Sequence, residues 1–64
     1  MSKDYYGLVE LLDLCDMLAS SQGFYGRLRS RIYELSKEEK ITLDNYLKSL
    51  KLTSQMDLIL ALES

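Results

Sequence analysis

Apolar residues return at helical spacing through the first third of the chain. Leu8, Leu11, Leu12, Cys15, Leu18 and Ala19 stand at i, i+3, i+4 and i+7 positions of one face, the period of an amphipathic α-helix. Tyr5 and Leu14 flank that stripe, and Glu10, Asp13 and Asp16 fall on the other side. The spacing predicts a helix over roughly residues 4–20. Gly7 weakens its start, by up to about 1 kcal/mol relative to alanine. Tyr6 and Met17 project from its polar side.

The stretch SSQG, residues 20–23, supplies the small and polar residues that end one helix and open another. A second helix is expected over roughly residues 23–35, with Phe24, Tyr25, Leu28, Ile32 and Leu35 on its core face and Phe24 as an anchor. Gly26 lies away from that face. SKEE, residues 36–39, has the form of a capping box, in which the Ser36 hydroxyl and the Glu39 carboxylate each take the other's backbone N–H. A third helical stretch follows over roughly residues 37–51, with Leu43, Tyr46, Leu47 and Leu50 on one face. Ile41 points almost opposite, so either this helix bends or a fresh one starts at Thr42. Ser54 and Asp57 form another cap signal ahead of a last short helix, roughly residues 55–63. Met56, Leu58, Ile59, Leu60, Ala61 and Leu62 make that helix apolar nearly all round, which predicts burial within the fold or against a partner. LILAL also suits a short buried strand, but it has no strand to pair with. The expected fold is all-α: one helical domain over residues 1–64, an array of about four short helices. The first two form an antiparallel hairpin, and the last plugs the core.

Size sharpens this picture. A chain of 64 residues buries little of its unfolded surface. Cys15 is the only cysteine and histidine is absent, so disulfides and the usual structural zinc sites cannot add stability. Tight helix packing or self-association remains, and a homodimer is one expected route. The lone thiol suits a reducing compartment. The N-terminal stretch lacks the unbroken apolar core of a signal peptide, and LILAL is far short of the roughly 20 residues of a spanning helix. A cytoplasmic protein with no membrane association is expected.

Ten acidic residues stand against eight basic ones, a net charge of −2, which disfavours nucleic acid as the partner. A helix-turn-helix reading of LKLTSQMDLILAL, residues 50–62, fails on the same ground. Its second helix would offer Ser54, Gln55 and Asp57 and then only apolar residues to the bases. Glu10, Asp13 and Asp16 lie on one open helix face with no loop to wrap a cation, so a solvated face is expected. Cys15, within the apolar stripe, reads as a small buried hydrophobe. No cofactor or metal is expected, and an enzyme is the least supported class.

The passage SSQGFYGRLRSR, residues 20–31, gathers all three arginines. On a helix Arg27 and Arg31 stand one turn apart, with Glu34 in reach of Arg31, whereas Arg29 stands one turn from Tyr33. One reading makes the arginines snorkelling edges of the core, their heads meeting acids of the first helix. The other makes them a contact surface, since arginine and tyrosine are enriched at interface hot spots. On that second reading, the expected partner-binding residues are Tyr6, Met17, Arg29 and Tyr33. The alternative set is Arg27, Arg29 and Arg31, gripping phosphate or an acidic partner.

The string SQGFYGRL, the acidic-apolar first helix and the ending LILALES together resemble short uncharacterised helical proteins of phages and mobile elements of Gram-positive bacteria. The resemblance covers most of the chain and carries no activity and no functional residue with it. What it implies is a setting in which tiny proteins act by binding host or phage proteins. The expected function is thus a non-enzymatic protein-interaction module, a small regulator or inhibitor. One alternative is a nucleic-acid-binding regulator that doubles its arginine helix in a dimer. The other is a structural subunit that docks its apolar C-terminal helix on a larger partner.

Overall fold

The computed structural model describes residues 5–63 and contains, among them, four α-helices: α1 Leu8–Leu18, α2 Gly23–Tyr33, α3 Lys37–Ser49 and α4 Gln55–Glu63. The expected all-α array is present. LILAL is helical, and α3 runs without a break through Thr42, with Ile41 on its exposed side. Local chemistry sets most of the ends. In the α3 capping box, Glu39 N–H donates to Ser36 Oγ at 3.2 Å and Ser36 N–H donates to Glu39 Oε1 at 2.9 Å. At α4, Asp57 N–H donates to Ser54 Oγ at 3.1 Å.

The first helix starts later than its apolar pattern suggests. Tyr5–Gly7 are not helical, and residue 4 lies outside the described residues. Gly7 has no side chain with which to cap α1, so the cap comes from α3: Leu8 N–H donates to Asp44 Oδ1 at 2.8 Å. Gly7 N–H donates to Glu10 Oε1 at 2.7 Å, and Tyr6 N–H donates to Leu52 O at 2.8 Å. Two segments remote in sequence thus hold the entry to α1 in an extended conformation. Gly7 therefore stands before the helix, where its helix propensity does not count.

Helix α1 is the hub, packing against α2, α3 and α4. The α1–α2 pair is antiparallel: Asp16 meets Arg29, and Ala19 lies beside Gly26, so one partner number rises as the other falls. The buried core comprises Leu11, Leu14 and Cys15 of α1, Tyr25 and Ile32 of α2, Leu47 of α3, Leu52 of the α3–α4 connection and Leu58 of α4.

Several core assignments change. Leu14, expected at the flank, is fully buried, because neighbours on three sides widen the apolar arc around Leu11. Leu8, Leu12 and Leu18 are half-buried against it. Phe24 is exposed while Tyr25, also expected in the core, is buried: α2 packs chiefly on α1 alone, and with adjacent helical residues about 100° apart a single seam takes only one of the pair. Tyr46 and Leu50 are exposed because α3 meets the rest of the fold mainly through Leu47. Leu52 takes the place expected of Leu50. Lys51 adopts a left-handed conformation (φ 58°) that ends α3 and turns the chain inward at Leu52. Helix α4 enters the core by one face and is not buried all round: Leu58 is fully buried, Ile59, Ala61 and Leu62 are half-buried against the core, and Met56 and Leu60 face outward.

Candidate partner-binding surface

Helix α2 carries the arginines, and its phase is set by Tyr25 and Ile32 in the core. Arg29 stands at the edge of the α1–α2 seam, where its Nη1 donates to Asp16 Oδ1 at 2.6 Å. That hydrogen bond, with the carboxylate charge behind it, pushes the guanidinium pKa above its already high ordinary value. Both side chains remain about half exposed, and water screens the pair.

Arg27 and Arg31 point elsewhere. They stand one turn apart on the outer side of α2, and among the described residues no carboxylate lies within 4 Å of either. Glu34, expected beside Arg31, shares a shallow groove of about 480 Å³ with Gly23, Gly26, Ser30 and the two arginines, without pairing. On the other flank, Phe24, Leu28, Arg27 and Arg31 line a second groove of about 350 Å³. Phe24 meets Tyr25 edge-on, with ring centroids 5.1 Å apart, which holds the exposed ring upright beside the guanidinium groups.

The expected set Tyr6, Met17, Arg29 and Tyr33 does not gather in one place. Tyr6 is half-buried against the core, tied by its backbone to Leu52. Met17 is exposed at the far end of α1, where Gln55 Nε2 points at its Sδ, 4.0 Å away. The two stand at opposite ends of α1, whose rise from Leu8 to Met17 alone is about 14 Å. Tyr33 is exposed, one turn from Arg29. Of the arginine set, Arg29 is engaged by Asp16, and Arg27 and Arg31 remain open. Phe24 was the missed member of this surface. The signal for it was the FY pair itself, where burial of Tyr25 with Ile32 turns Phe24 toward Arg31.

The acidic face of α1 is divided between structural tasks. Glu10 accepts the Gly7 N–H and Asp16 holds Arg29. Among the described residues no group of three or more metal-ligating side chains comes together. Cys15 is buried, and burial, with Asp16 nearby, pushes its thiol pKa up and disfavours the reactive thiolate. No described helix is long and apolar enough to cross a membrane. Comparison with known proteins finds no matching family model, no matching curated protein and no matching solved structure.

Proposed function

We propose that this chain is a non-enzymatic protein-interaction module that grips an acidic segment of another protein through the outer side of α2. The observation that carries the reading is the pair Arg27 and Arg31, one turn apart, without an ion pair among the described residues and beside the exposed Phe24, while Arg29 is held by Asp16. A guanidinium fork binds carboxylates in two-point fashion, and an aromatic ring beside it supplies apolar area at low entropic cost. In the phage or mobile-element setting implied by the resemblance, such a module acts as a small regulator or inhibitor of a host or phage protein.

The test is affinity capture with wild type, Arg27→Ala/Arg31→Ala, Phe24→Ala and Arg29→Ala, followed by calorimetry with the captured protein once it is purified. Loss of binding in the first two variants, with Arg29→Ala retained, supports the reading. Equal binding by all four overturns it. A nucleic-acid ligand would show itself as nuclease-sensitive captured material; a steep fall of affinity with salt fits either nucleic acid, whose phosphates release counterions, or a strongly acidic protein segment. The net charge of −2 speaks against a nucleic-acid ligand.

A further inference from the structure

The chain carries a second pair of surfaces that complement one another. Leu8, Val9, Lys37, Lys40, Ile41, Asp44 and Lys48 line a groove of about 320 Å³ between the start of α1 and α3. Its apolar floor is open, with Val9 66% and Ile41 52% exposed. Its rim holds three ammonium groups against one carboxylate. That carboxylate, Asp44, is already committed to the Leu8 N–H and to Lys48 Nζ at 3.2 Å. Among the described residues Lys37 and Lys40 have no acidic neighbour within 4 Å. A net positive groove on a net negative chain selects an acidic occupant.

Helix α4 presents a face of that kind. Met56 and Leu60, 62% and 58% exposed, stand one turn apart, with Glu63 on one side of the stripe and Asp57 on the other. Neither acid forms an ion pair among the described residues. Two apolar anchors at i and i+4 flanked by carboxylates are what a helix needs to lie in a lysine-rimmed apolar groove. Within one molecule this cannot happen. Leu58 pins α4 to the core, and at about 100° per residue Met56 and Leu60 point to the opposite side of the helix.

We propose that the occupant is a second copy of this chain, which seats the Met56–Leu60 face of its α4 in the groove formed by Val9, Ile41, Lys37, Lys40 and Lys48. Charge and apolar complementarity between the two patches carry the proposal. Neither patch includes a residue of α2, so self-association stands apart from capture of an acidic partner by Arg27 and Arg31.

The experiment is sedimentation equilibrium from about 10 μM to about 1 mM, the range of weak specific contacts. Wild type is expected to self-associate, less so at high salt because the rim charges are screened. Lys37→Glu/Lys40→Glu reverses the groove, and Asp57→Lys/Glu63→Lys reverses the helix. Each alone should weaken self-association at least about tenfold, and an equimolar mixture should restore association, since each mismatched homotypic contact becomes a matched heterotypic one. Leu60→Gln, which alters no charge, should weaken association comparably. Circular dichroism of each variant controls for folding, with Leu60→Gln standing in for any charge variant that does not fold. A wild type that stays monomeric at the highest concentration overturns the proposal. So do charge-reversed variants that associate like wild type, or a mixture that associates no better than its components.

Discussion

Replacing Gly7 by alanine should destabilise the fold through a group 37 residues away in sequence. The backbone at Gly7 is extended (φ −133°), a conformation open to any residue, so the requirement is for space. A Cβ there would collide with Asp44 Oδ1 and stand 2.9 Å from Lys48 Cε. The lysine tip can swing away. The carboxylate can do so only by releasing the Leu8 N–H it caps at 2.8 Å. Loss of an N-cap costs about 1 kcal/mol, and a hydrogen bond to a charged group is worth about 1.5–3 kcal/mol, so Gly7→Ala should cost about 1–2 kcal/mol. At about 0.05–0.15 kcal/mol per residue, a chain of this size holds only about 3–10 kcal/mol in total. The melting temperature should therefore fall by about 4–16 °C. Urea titration followed by circular dichroism measures the change for Gly7→Ala, Asp44→Ala and the double variant. Once Asp44 is gone the added methyl has no carboxylate to displace, so the double variant should be little worse than Asp44→Ala alone. Gly26→Ala is the control: its Cβ would meet Ala19 Cβ at 3.8 Å, ordinary contact, and should raise stability by about 0.5–1 kcal/mol through helix propensity. A neutral Gly7→Ala, or strict additivity with Asp44→Ala, would refute the idea that α3 caps α1.

Tyr25→Phe should stabilise the protein by about 1 kcal/mol, because the buried Tyr25 hydroxyl has no hydrogen-bond partner among the described residues and its removal relieves a desolvation cost; a lower urea midpoint for the variant would contradict this. Burial raises the Tyr25 phenol and Cys15 thiol above their ordinary values of 10.0 and 9.0, so the folded state holds those protons longer than the unfolded one. Their contribution is complete below the ordinary values and is lost as pH rises through the folded ones, which an alkaline urea series should record. Asp44 titrates in the opposite sense. The Leu8 N–H lowers its pKa below 3.8, so its contribution is present above that value and lost as pH falls through the folded pKa; Asp44→Asn should flatten this acid limb. Leu58→Ala should cost about 2–5 kcal/mol and Leu62→Ala distinctly less, since only Leu58 is fully buried; equal losses in thermal melts would show α4 packing through both. Cys15 should resist a thiol reagent until the protein unfolds; rapid native-state labelling would contradict its burial.

The helices were legible because their causes are local. Apolar spacing marks a face, Ser36 with Glu39 and Ser54 with Asp57 mark starts, and SSQG marks a turn. None of these needs knowledge of what lies across the fold. The hairpin of α1 and α2 and the burial of Cys15 and Leu58 follow from the same patterns.

Which apolar residues are buried, and which charges are engaged, depended on neighbours that periodicity does not name. Helix α1 touches three others and draws Leu14 inside, whereas α3 and α4 are edge helices that leave Tyr46, Leu50, Met56 and Leu60 in water. Asp16 engages Arg29 because the antiparallel register puts them opposite, as expected of an arginine at the core edge, whereas Glu34, expected to neutralise Arg31, forms no ion pair among the described residues. Asp44 caps a helix that begins 36 residues earlier in the chain. The sequence by itself therefore determined an all-α chain of four helices and their approximate starts, because hydrogen bonds and side-chain spacing within a helix are set by residues three or four apart. The tertiary structure alone decided the composition of the exposed surface, and with it Phe24, Arg27 and Arg31 as the open face of α2, because exposure belongs to the packing between helices and not to any one of them.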